Sequence, residues 1–171
     1  MFQYKTRGNA SPQGKQRVYF TCHPEDFKRV FEEISDEILK VVNCAVWYET
    51  PENGSNEERK NAGAANEAWK PYEDIETDLG QMQLFVIPVT ARLLSGKNRT
   101  MEVDVPFALS HHIPILPLMR EAGLDAAYSQ KFGELQYLDK YAQDDTAISY
   151  QEKFERFLKA VLIGDKEFGV R

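Results

Sequence analysis

The sequence predicts an α/β fold: one doubly wound parallel sheet of five strands. Three observations carry this reading. Leu84–Val89 and Ile113–Met119 are apolar throughout instead of alternating, as strands are when helices cover both faces. Phe27 to Val42 and Tyr150 to Leu162 carry apolar stripes at helical spacing. Strand-like and helix-like segments also alternate, the order produced by crossover connections in a parallel sheet.

The elements follow in order. Residues 1–16 are polar, with Gly, Ser and Pro and no apolar signal core, and read as a flexible lead-in. Arg17–Cys22 is a short buried strand. His23-Pro24-Glu25-Asp26 opens a helix, since Pro and acids belong in a first turn; Phe27, Val30, Phe31, Ile34, Ile38, Leu39 and Val42 form its stripe. Cys44–Tyr48 is the second strand. Glu49 to Gln81 is a long polar stretch in which Trp69, Pro71 and Tyr72 could dock and Ile75 to Leu79 could form a helical turn or two; a connection this long is usually functional. Leu84–Val89 is the third strand and Ile113–Met119 the fourth. Gly123 to Gly133 is a loop with a short helical turn, and Glu134–Leu138 a fifth, edge strand. Ser149 caps a last helix running to Ile163, with Glu152 three residues on and Gly164 as its stop. The domain is therefore residues 17–163, followed by a charged tail or linker, 164–171.

Composition narrows the function. A length of 171 residues fits one domain with a sizeable core. The net charge of -6 argues against nucleic acid or an anionic membrane surface as partner. No apolar run approaches the roughly 18–20 residues of a membrane span, which favours a cytoplasmic protein. Cys22 and Cys44 read as free buried thiols, and two cysteines with three scattered histidines make no metal-site pattern, so no metal or bound cofactor is expected.

In an α/β sheet the ligand lies at the carboxyl ends of the strands, which directs attention to the acids between the third and fourth strands, Glu102 and Asp104. Phosphate-loop families are excluded. The turn after the first strand, Thr21-Cys22-His23-Pro24-Glu25, has no glycine, and no Walker A loop is present. The Asp and Lys that a response-regulator receiver needs at the ends of its third and fourth strands are also missing. Asp104 has a purely structural alternative, because Asp-x-Pro is a natural helix start in which Asp caps free N–H groups. Glu102 likewise could be a solvated loop acid.

What remains resembles a TIR (Toll/interleukin-1 receptor) domain of bacterial type over roughly residues 17–163. Val18-Tyr19-Phe20-Thr21-Cys22-His23-Pro24-Glu25-Asp26 is similar to that family's opening box. Leu84–Thr90 with Leu94-Ser95 looks like its third strand and following turn. Asp104-Val105-Pro106-Phe107-Ala108-Leu109, then Ile113-Pro114-Ile115-Leu116-Pro117, resembles its acidic residue, its "AL" helix and its fourth strand. The resemblance implies a flavodoxin-like strand order 2-1-3-4-5, with the long polar stretch in the place of the BB loop. It also implies an NAD+ nucleosidase that breaks the nicotinamide–ribose bond to give ADP-ribose or a cyclic isomer. Such an enzyme would serve bacterial defence or signalling and be activated by self-association.

The family's catalytic glutamate, four residues before the alanine of "AL", falls on Asp104, one methylene shorter; Glu102 is the nearest glutamate. If the helix has begun, residues 102 and 104 face different directions and one of them occupies the pocket. A carboxylate there would stabilise the oxocarbenium-like transition state and hold ribose hydroxyls. Thr100 stands where the family often has an aromatic, a role Trp47, Trp69 or Tyr72 could fill. Thr21, Cys22 and His23 at the mouth of the first helix, Glu49 at the end of the second strand, and Arg92 and Arg99 on the third loop are the candidate substrate ligands. His111 and His112 lie at the far end of the fourth strand and have no catalytic role. Two other readings stand beside the enzyme: a TIR scaffold that binds other TIR domains without catalysis, and an unrelated doubly wound domain that binds a nucleotide without turning it over.

Overall fold

A computed structural model describes residues 2–8, 15–49, 79–139 and 150–164. The chain forms one six-stranded α/β sheet, mostly parallel, with helices on both faces. The strands are β1 (Phe2–Lys5), β2 (Gln16–Phe20), β3 (Cys44–Glu49), β4 (Leu84–Val89), β5 (Ile115–Met119) and β6 (Leu138–Asp139). They lie in the order β1-β3-β2-β4-β5-β6. The helices are α1 (Phe27–Val41), α2 (Ala91–Ser95), α3 (Val105–Ser110), α4 (Asp125–Phe132) and α5 (Tyr150–Leu162).

The predicted five-stranded sheet is therefore one strand short. The missing strand lies in the lead-in: Phe2–Lys5 pairs antiparallel with β3, Phe2 opposite Glu49 and Lys5 opposite Val46. Lys5 fixes it further. Its ammonium donates to Glu32 Oε2 (2.9 Å), Ser35 Oγ (3.0 Å) and Asp36 Oδ1 (2.8 Å) on α1. Four residues are too few for the period-2 pattern to stand out from a polar leader. Other boundaries shift: the loop after Gly123 holds an eight-residue helix, α4, and the edge strand expected at Glu134–Leu138 is reduced to Leu138–Asp139. Trp69, Pro71, Tyr72, Ser149, most of the long polar stretch and the tail beyond Gly164 lie outside the described residues.

Strand pleating sends neighbouring side chains to opposite faces, and here both faces are apolar. Val18, Phe20, Val46, Leu84, Val86, Leu116 and Leu118 point to one side, where Val30, Ile34 and Ile38 of α1 and Phe154, Leu158 and Leu162 of α5 cover them. Tyr19, Phe85, Ile87, Val89, Ile115 and Met119 point to the other, against α2, α3 and α4. That is why β4 and β5 show no alternation: every residue of both is buried.

Pro88 and Pro117 sit within these central strands, where a missing N–H would normally cost a ladder bond. The alternation of hydrogen-bonding sides resolves this. On β4, Phe85 N bonds Pro114 O of the β5 side, while Val86 O accepts from Thr21 N on the β2 side. Pro88 thus faces β2, whose last pair is Phe20 with Val86. By the same alternation Pro117 faces β6, whose first pair is Leu118 with Leu138. Both prolines face places where the neighbouring strand is absent.

No described helix is long and apolar enough to cross a membrane. Truncating Ile34, which is fully buried between α1 and the sheet, to Ala should cost about 2–5 kcal/mol. Leu109→Ala, at a site 57% exposed, should stay within about 0.5 kcal/mol. Urea unfolding followed by circular dichroism would show a lower midpoint for the first variant and an unmoved one for the second.

Candidate functional site

The sheet order reverses at β2. The chain leaves β2 for β3 on one side, and the next strand, β4, lies on the other. This is a topological switch point, and its crevice opens at the carboxyl ends of β2 and β4. The residues just beyond those ends are Thr21 and Thr90, both buried. Each hydroxyl bonds a fully buried aspartate.

The first aspartate is Asp104. It lies in a π turn, Thr100–Asp104, that leads directly into α3; such turns are frequent at functional sites. Thr21 Oγ1 donates to Asp104 Oδ2 at 2.6 Å and also contacts Thr100 Oγ1 at 2.7 Å. With Asp104 ionised, the single Thr21 proton goes to the carboxylate, so Thr100 donates to Thr21. Arg99 Nε stands 3.7 Å from Asp104 Oδ1, and Arg99 Nη1 donates to Glu49 Oε2. Asp104 Oδ1 itself accepts no hydrogen bond from any described residue, and Arg99 Nη2, also buried, donates none. The cluster is two carboxylates sharing one guanidinium, with the buried Tyr19 phenol near enough to feel all three charges.

The helix-cap alternative for Asp104 is overturned. Its backbone is helical (φ -70°, ψ -46°) and its side chain makes no capping bond. The π turn supplies the start of α3 and leaves the carboxylate to reach across to Thr21. Burial pushes the Asp104 carboxyl up to about 6, against the opposing pull of Arg99 and the Thr21 hydroxyl. Desolvation outweighs the counter-charge because Arg99 is shared with Glu49, which itself raises the Asp104 value. The same surroundings, burial first and the Asp104 charge second, push the Tyr19 phenol well above its ordinary value.

The second aspartate is Asp26, which closes the 3-10 turn Pro24–Asp26 before α1. Thr90 Oγ1 donates to its Oδ2 at 2.5 Å. Arg92 and Arg29 donate to its Oδ1 at 3.1 and 3.3 Å. Thr90 also accepts from Leu93 N as the cap of α2. Both Asp26 oxygens are bonded, so this centre reads as a brace joining α1, β4 and α2. The contrast with Asp104 decides which acid has acceptor capacity to offer a ligand.

The structure brings four of the predicted site residues together: Thr21, Glu49, Arg99 and Asp104. The others lie elsewhere. Glu102 is exposed, so of the two acids Asp104 is the buried one that meets Thr21 at the end of β2. His23 Nδ1 accepts from Glu25 N at 3.1 Å and caps the first turn. Arg92 serves Asp26 and lies 3.5 Å from Glu25. Cys22 is half-buried against the α1 core, and burial holds its thiol far above the ordinary value. Trp47 packs against Tyr4 (ring centroids 5.1 Å) with Arg17 over its ring. Sequence reasoning missed Tyr19, Thr90 and the roles of Thr100 and Asp26. The signals were present only weakly: a threonine ending each of two central strands, and an aspartate with Arg29 three residues on. Among the described residues no group of three or more His, Cys, Asp or Glu is placed to hold a metal ion. No protein-family model matches the chain, and no curated protein does.

Asp104 makes a testable contribution to stability. The unfolded chain releases this proton near 3.8 and the folded protein near 6. Between those values the unfolded state ionises first, so stability from this group is full below about pH 4 and falls as pH rises to about 6. At about 1.4 kcal/mol per unit, the fall is on the order of 3 kcal/mol. Asp104→Asn should remove it, so the stability of the variant relative to the parent rises across that window in urea titrations. A flat difference would mean that Asp104 titrates like an exposed acid.

Proposed function

We propose that this chain is a TIR-type NAD+ nucleosidase that breaks the nicotinamide–ribose bond, with Asp104 as its catalytic carboxylate. The observation that carries the reading is the unbonded Oδ1 of a fully buried aspartate beside the switch-point crevice. It stands at the position where the family resemblance puts the catalytic acid. Two further features support the reading. The parallel strands lie in the order β3-β2-β4-β5-β6, which supports the doubly wound arrangement the resemblance implies, with β1 as an addition. The π turn also places Thr100, at the family's aromatic position, as a hydroxyl donor within the cluster.

The chemistry suits a single carboxylate. Nicotinamide leaves as a neutral molecule from a cationic glycoside and needs no general acid. Positive charge builds on the ribose as the bond stretches. An ionised Asp104 in a desolvated site stabilises that charge more strongly than it would in water. In this reading the enzyme is cytoplasmic, self-association assembles the active form, and the product is ADP-ribose or a cyclic isomer.

Concentrated protein incubated with NAD+ should release nicotinamide, followed by chromatography. Asp104→Asn should lower release by about 100-fold or more, while Glu102→Gln retains it. Release should rise with pH through about 6, as Asp104 ionises. Full activity in Asp104→Asn would remove the site proposed here. No release even from crowded or assembled protein would favour a non-catalytic TIR scaffold.

A further inference from the structure

We propose that Glu49 is a positioning residue: by holding the Arg99 guanidinium at one edge, it keeps Oδ1 of Asp104 unbonded and open to a hydroxyl of the ligand. The NAD+-cleaving reading enters only in the identity of that hydroxyl, which it makes a ribose hydroxyl.

An arginine facing a single carboxylate closes on it through two parallel hydrogen bonds. Arg99 has the means to do so with Asp104. Its Nε is already 3.7 Å from Oδ1, and its buried Nη2 has no partner among the described residues. A rotation of the guanidinium toward Asp104 would turn that separation into a bond. What opposes the rotation is Nη1, which is held by Glu49. The Glu49 side chain is itself only 9% exposed and hangs from the last residue of β3, beside the Tyr19–Trp47 rung of the sheet. Its backbone is held by the sheet, where Glu49 pairs with Phe2 of β1.

The cluster thus holds an unfilled acceptor, Oδ1, and an unfilled donor, Nη2. A hydroxyl has the matching capacity, since it can donate to the one and accept from the other. The charges point the same way. Among the described residues the charged groups around Asp104 are Arg99 and Glu49, with the neutral Tyr19 phenol and the Thr21 and Thr100 hydroxyls beside them. A second carboxylate so close to Asp104 disfavours a phosphate and tolerates a neutral hydroxyl, so the ligand part that enters here is the sugar.

The test compares Glu49→Ala with Glu49→Gln in ligand-free protein labelled with carbon-13 at aspartate carboxyls. The Asp104 resonance is assigned by its loss in Asp104→Asn. Both substitutions remove one negative charge, but Gln keeps an acceptor for Arg99 Nη1 and Ala does not. The Asp104 midpoint should fall in both, and by about one pH unit more in Glu49→Ala, where Arg99 closes on the carboxylate. Equal midpoints in the two variants would overturn the proposal. Glu49→Ser, equally too short to reach Arg99, substitutes if the Ala variant fails to fold. Where the parent protein releases nicotinamide, kcat should drop about 10-fold or more in Glu49→Ala and far less in Glu49→Gln. Should the parent release none, the catalytic reading fails while the titration still decides the role of Glu49.

Discussion

Helices cover both faces of the sheet, so along the strands nearly every side chain belongs to one of two apolar cores. Polar chemistry is displaced to the carboxyl ends of the strands, where the backbone leaves the sheet and side chains turn toward one another. Thr21, Glu49 and Thr90 all stand at such ends. The buried acids Asp26 and Asp104 reach that edge from the helical layers. The strand order then selects the location along the edge: the crevice beside β2 is where neighbouring crossovers diverge, and both acids meet a threonine there.

The two acids show how the same burial gives opposite outcomes. Asp26 is matched by a hydroxyl and two arginines, and its negative charge is used to hold three elements together. Asp104 is matched by one hydroxyl and half of one arginine. A buried carboxylate left short of partners is costly to the fold, and strongly perturbed groups of this kind cluster at functional sites.

Much of the fold was legible in the sequence because burial writes itself into hydrophobic period. The unbroken apolar runs of β4 and β5 and the stripe of α1 come from their packing, and the strand bounds Leu84–Val89 are as predicted. β1 was hidden because its stability comes from elsewhere: a backbone ladder with β3 and the Lys5 contacts with Glu32, Ser35 and Asp36, which are distant in sequence. Of the site, Thr21, Glu49, Arg99 and Asp104 were nameable from their places at strand ends and in the third loop. Their pairing was not, since it depends on the π turn, and nothing in Thr100-Met101-Glu102-Val103-Asp104 separates a π turn from an ordinary helix start. That single extra residue in the turn is what makes Asp104 a member of the crevice instead of a cap.

Pro88 has a consequence beyond its tolerance in a central strand. Its nitrogen faces the gap past the end of β2. Were the chain after Phe20 to continue as strand, it would find no donor at that rung of β4, and the two segments could not zip further together. The mouth of the crevice is thus kept apart by covalent chemistry and not only by the shape of the side chains that line it. Loop rearrangements on either side can proceed without the danger that the sheet itself grows into the space and seals it.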